Sequence, residues 1–127
     1  QEKEAPMTFS PDAEFPVINV EKGRLPGHFV ASFEKSDAMP KLVKIDAGLK
    51  SNVVPGKAKA VVAGVDDTVL NETAAAVTKE TEVTFTLEGC EEGILITAEG
   101  EGAHASTPEE GKNALTALLM LITDGCG

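Results

Sequence analysis

The sequence predicts an α+β fold: an antiparallel β-sheet with two helices packed on one face. Three stretches carry that prediction. Glu82–Glu88, EVTFTLE, alternates strictly, with Val83, Phe85 and Leu87 on one side and Thr84 and Thr86 on the other, as a half-buried strand requires. Val65–Glu80, VDDTVLNETAAAVTKE, switches to helical spacing, with Val69, Leu70, Ala74 and Val77 on one face and Asp66 or Asp67 as N-cap. A second helix follows Thr107, and its apolar stripe is Ala114, Leu115, Leu118, Leu119 and Ile122.

The remaining elements fall around these. Phe15–Val20 reads as a short strand after the turn residues Ser10, Pro11 and Asp12, and His28–Glu34, HFVASFE, as another. KLVKIDA from Lys41 and KAKAVVA from Lys57 are strands, separated by the turn region GLKSNVVPG, and together they suggest a hairpin. GILITAEGEG follows a turn at Gly89–Gly93 and pairs with EVTFTLE as an antiparallel hairpin. In the last helix, Thr107 is the expected N-cap, Pro108 occupies N1, Glu110 closes a capping box, and Gly125 lies beyond the end. From Lys41 the order is therefore β-β-α-β-β-α, with both helices returning to the same side of the sheet.

Composition narrows the function classes. The 127 residues suit one domain, or one domain with a piece of another, and the apolar 42% includes five Phe but no Trp or Tyr, so the core is built from Val, Leu, Ile and Ala. Eleven Lys and Arg against 21 Asp and Glu give a formal charge of −10, which repels nucleic-acid phosphates and anionic lipid headgroups. The longest apolar run, Ala117–Ile122, is far short of a bilayer span, and QEKEAP does not read as a signal peptide. A cytoplasmic location is expected. Cys90 and Cys126 have no metal-ligand spacing, and both are expected to be free thiols. The start at Gln1 suggests a processed chain or one cut from something longer.

Few residues carry chemistry on their own. His104, in GAHAS, stands between the end of a strand and a helix cap; alone it reads as a surface loop histidine, but Gly102, Ala103 and Ala105 leave its ring unobstructed between two rigid elements. Asp12 after Pro11 reads as a turn residue, Asn52 belongs to a turn, and His28 is incidental. The doublet Glu91-Glu92 suits a solvated hairpin tip, and Glu109-Glu110 suits a helix start. No H-x-D, H-E-x-x-H or G-x-S-x-G motif is present, so the sequence shows no complete active site.

Taken together and in order, FSPDAEFPVINVEKG, SNVVPGKAKA and AEGEGAHASTPEEGKNALTALLMLI resemble one family. It is the dizinc exopeptidases, in the Xaa-His dipeptidase branch (PepV-type, related to the carnosinases). The resemblance implies a catalytic domain that holds two zinc ions and a ferredoxin-like lid domain that closes over a dipeptide. It assigns residues 1–25 to a remnant of the zinc catalytic domain and 26–127 to the first half of the lid.

On the same grounds Asp12 resembles the family's zinc-binding aspartate. His104 resembles the lid histidine that binds substrate or stabilises the oxyanion. Asn52 matches a position near the bound peptide, and Gly111, Asn113 and Ala114 match positions read as helix packing and positioning. The other zinc ligands, the general base and the second half of the lid have no match in this sequence. The resemblance thus implies a dipeptidase that works by a two-metal mechanism, of which this chain alone is inactive and holds no stable zinc. The expected partners are the dipeptide, the rest of the catalytic domain and a second copy in a homodimer. Two other readings stay open: a free-standing α+β association module without catalysis, and the lid of a catalytically dead homologue.

Overall fold

The computed structural model describes residues 17–126. Asp12, the turn Ser10–Asp12 and the first two residues of the strand expected at Phe15–Val20, Phe15 and Pro16, lie outside them. Residues 17–40 contain no strand, which corrects the expectation for Val17–Val20 and for His28–Glu34. Their β-prone side chains face solvent throughout, Phe29 at 95% and Phe33 at 89%, and among the described residues no strand pairs with them.

From Lys41 the chain follows the expected order. β1 (Lys41–Ala47), β3 (Lys57–Ala63), β4 (Thr84–Cys90) and β5 (Gly93–Glu99) form one sheet in the order β1-β3-β5-β4, with every neighbouring pair antiparallel. A second, two-stranded sheet joins β2 (Val53–Val54) to β6 (Ala103–His104). The turn region GLKSNVVPG therefore contains a strand that sequence pattern alone did not reveal.

α1 (Asp67–Thr81) begins where Asp66 accepts hydrogen bonds from the Thr68 and Val69 amides at 2.8 and 3.4 Å. The Thr68 amide foremost, and then that of Val69, holds the Asp66 carboxyl below its ordinary value. Leu70, Ala74 and Val77 are buried as expected, but Val69 points to solvent at 46% exposure because the helix presents only a narrow stripe to the core. The helix closes on Glu82, left-handed at φ 58°, whose amide bonds the Thr78 carbonyl at 2.8 Å. That cap keeps Glu82 out of the strand predicted from it, and β4 starts at Thr84.

β3, α1 and β4 form a split βαβ unit, since β5 lies between the two strands and pairs with both. The tight turn is Glu91-Glu92, exposed as expected, while Gly89 and Cys90 extend the strand.

α2 (Ala114–Cys126) starts seven residues after the predicted cap. Thr107 leads instead into a 3-10 turn, Pro108–Glu110, and its hydroxyl bonds the Glu110 carboxylate at 3.1 Å rather than a backbone amide. Gly111 then runs extended and Lys112 pairs with Glu101 in both directions, at 2.8 and 3.0 Å, which straightens the chain before the helix. The cap is Asn113, whose Oδ1 accepts from the Leu115 and Thr116 amides at 3.1 Å each. Gly125 lies within the helix, where a Cβ would come 3.0 Å from Leu70 Cδ2; its lack of a side chain lets α2 close against α1.

One apolar cluster joins Ala58, Ala60 and Val62 of β3, Ile94, Ile96 and Ala98 of β5, Leu70 and Val77 of α1, and Ala114, Ala117, Leu118 and Leu121 of α2. Both helices thus cover the same sheet face. Leu70, Ile96, Leu118 and Leu121 are fully buried, each contributing about 1.5–3 kcal/mol of transfer free energy. Of the predicted α2 stripe, Leu115 and Ile122 are partly covered and Leu119 is 47% exposed, with Ala117 and Leu121 taking the inner positions. Cys90 and Cys126 are free thiols, and partial burial raises the Cys126 pKa.

Candidate functional site

His104 ends β6, and its position follows from how that short strand is held. Val53 pairs with His104 and Val54 with Ala103, and the Ala105 amide bonds the Asn52 carbonyl at 2.9 Å. Two residues selected from sequence, 52 positions apart in number, are thereby joined through one short ladder. Asn52 is half-buried and His104 exposed.

The base of this arm depends on close backbone approach. A Cβ at Gly100 would lie 2.2 Å from the Lys112 carbonyl oxygen, and one at Gly111 would lie 2.8 Å from Ala103 Cβ and 2.9 Å from the Glu101 oxygen. Only glycine fits at either place. The Ala114 amide, free at the helix start, bonds the Pro55 carbonyl at 2.8 Å and ties α2 to the chain just after β2. Gly111, Asn113 and Ala114 thus connect the helix start to the strand that ends in His104.

Beyond β6 the chain turns at once. The Thr107 amide bonds the His104 carbonyl at 3.0 Å, closing a four-residue turn. Inside it, His104 Nδ1 receives the Ser106 amide at 3.2 Å and stands 2.7 Å from Ser106 Oγ. A backbone amide can only donate, so Nδ1 is the accepting nitrogen of the neutral ring and the proton lies on Nε2. Among the described residues Nε2 has no hydrogen-bond partner. The site is an exposed N–H donor on a ring held from behind.

Sequence reasoning missed two contributors. Ser106 stands two residues after the histidine, and that spacing within a tight turn was the available signal. Lys22, whose ammonium donates to the Ser106 carbonyl, comes from the exposed segment before β1, and nothing in the local pattern pointed to it. Asp12 lies outside the described residues, and His28 sits exposed in the 17–40 segment. Among the described residues no three His, Cys, Asp or Glu side chains gather where a metal ion could be held. No described helix is long and apolar enough to cross a membrane.

No family model matches the chain. It is 35% identical over 118 residues to the Beta-Ala-Xaa dipeptidase of Lactobacillus delbrueckii subsp. lactis, covering 91% of this chain and 25% of that protein. It is also 35% identical over 114 residues to a Bacillus subtilis protein named "Putative dipeptidase YtjP", with 85% of this chain and 24% of that one covered. A Staphylococcus epidermidis protein with a similar dipeptidase name is 32% identical over 123 residues, 91% of this chain and 26% of its own. This chain is homologous to a segment of these dipeptidases. It spans about a quarter of the length of the relatives it matches.

Proposed function

We propose that the chain is the lid-bearing part of a zinc-dependent dipeptidase, with residues 1–25 in the catalytic domain and 26–127 in the first half of the lid. His104 acts there on the substrate. When a peptide bond is attacked, negative charge moves onto its carbonyl oxygen, and an N–H donor aimed at that oxygen binds the charged state more strongly than the neutral carbonyl. A ring whose Nδ1 is occupied and whose Nε2–H faces outward supplies such a donor. Asn52, just before β2 with its carbonyl bonded to the Ala105 amide, contacts the bound peptide in this reading.

The supporting observation is the His104 ring itself, exposed and held by Nδ1 in a chain homologous to dipeptidases. The described residues by themselves gather no ligand set for a zinc ion. Asp12 remains the proposed zinc ligand from the family resemblance. The test is to express the longest reading frame containing this chain and assay hydrolysis of short peptides, β-alanyl dipeptides among them, with and without a chelator. Chelator-sensitive cleavage is expected. A well-folded product that cleaves no dipeptide would favour the dead homologue, and Asp12→Ala with unchanged zinc content would remove that ligand assignment.

A further inference from the structure

Resting on the reading of His104 as a donor, we propose that Ser106 is the positioning residue that sets the His104 tautomer and ring plane. The two bonds to Nδ1 come from one residue: the amide at 3.2 Å and the hydroxyl at 2.7 Å. With the amide donating, Nδ1 carries its single lone pair, and the hydroxyl at this distance shares that lone pair as a second, shorter donor. The Nδ1–H tautomer would turn an N–H toward the Ser106 amide and lose that bond, leaving the hydroxyl, rotated to accept, as the ring's remaining contact in the turn. Ser106 therefore favours Nε2–H over Nδ1–H and holds the ring plane against the turn.

Ser106 is itself anchored. Its carbonyl accepts from the Lys22 ammonium, and its turn is closed by the Thr107 amide on the His104 carbonyl at 3.0 Å. The neighbouring Ala105 amide bonds the Asn52 carbonyl at 2.9 Å, in the turn just before β2. The serine hydroxyl is exposed and takes no part in the apolar cluster, so core packing does not explain its place. Its contact is the imidazole.

The experiment is two-bond 1H–15N correlation of the histidine rings in this chain at a pH where both are neutral, with amide spectra to confirm the fold. His28 serves as internal reference, being exposed and without a side-chain hydrogen bond among the described residues. His104 is expected to show an Nε2–H to Nδ1–H ratio above that of His28. Ser106→Ala lowers the ratio by about two- to tenfold, the span of one net intramolecular hydrogen bond, and Ser106→Thr restores it. An unchanged ratio in Ser106→Ala, or a wild-type ring protonated on Nδ1, overturns the proposal. In an active longer protein, Ser106→Ala should lower kcat with little change in KM. A shifted tautomer with undiminished kcat upholds the positioning role and removes the donor role of His104, so the two ideas fail separately.

Discussion

The four-stranded sheet and the two-stranded arm are neighbours in one fold, yet they are stabilised differently. In the sheet, alternate residues of β3 and β5 enter a cluster closed by two helices, and apolar burial fixes the register. In the arm, β2 and β6 contribute two residues each, of which only Val54 is buried, and stability comes from backbone bonds and glycine-permitted approach. The contrast suits their tasks. The sheet is a platform, and the arm carries an exposed side chain at its tip, where covering it with apolar contacts would remove it from use.

Substitutions that act on one region and spare the other test this division. The largest effect is expected in the platform: Leu118→Ala, at a fully buried site, should cost about 2–5 kcal/mol in urea or thermal unfolding. At the base of the arm, Gly100→Ala forces a methyl into the Lys112 carbonyl and should cost about 1–3 kcal/mol, with amide shifts concentrated at Ala103–Ser106 rather than in α1. Uniform shifts across both helices would show that arm and platform are a single unit. Asn113→Ala removes the α2 cap and should cost about 1 kcal/mol, less for Asn113→Asp, which keeps an accepting oxygen.

The smallest effect is one of pH. Because the Asp66 carboxyl is held below its ordinary value by the Thr68 and Val69 amides, its contribution is present above the unfolded pKa and is lost as pH falls through the lower folded value. The melting temperature should therefore drop on acidification below about pH 4, and Asp66→Asn, which caps without titrating, should flatten that limb. An unaltered acid limb in Asp66→Asn would assign the acid sensitivity to other carboxylates.

The platform was legible in sequence because burial writes periodicity. KLVKIDA and KAKAVVA match β1 and β3 residue for residue, and the α1 stripe named three of its buried positions. What was misread depended on backbone geometry. The Thr107 capping box satisfies every local requirement of a helix start, but the Glu101–Lys112 pairing takes precedence and Asn113 becomes the cap. The HFVASFE run has strand composition but pairs with no strand among the described residues, since strand propensity expresses packing rather than an autonomous preference.

The candidate site divides in the same way. His104 stood out as an isolated imidazole between small residues, and Asn52 by family resemblance alone. Ser106 did not stand out, because a two-residue contact inside a turn leaves no hydropathy signature, and Lys22 reaches that turn from 84 positions away.

The most direct test is His104→Ala in the longest protein carrying this chain, with dipeptide turnover and bound zinc measured on the same preparation. A donor to the oxyanion predicts a loss in kcat of about 10²–10³-fold with zinc content unchanged. Turnover within a few-fold of wild type, or loss of zinc in proportion to loss of activity, would contradict it.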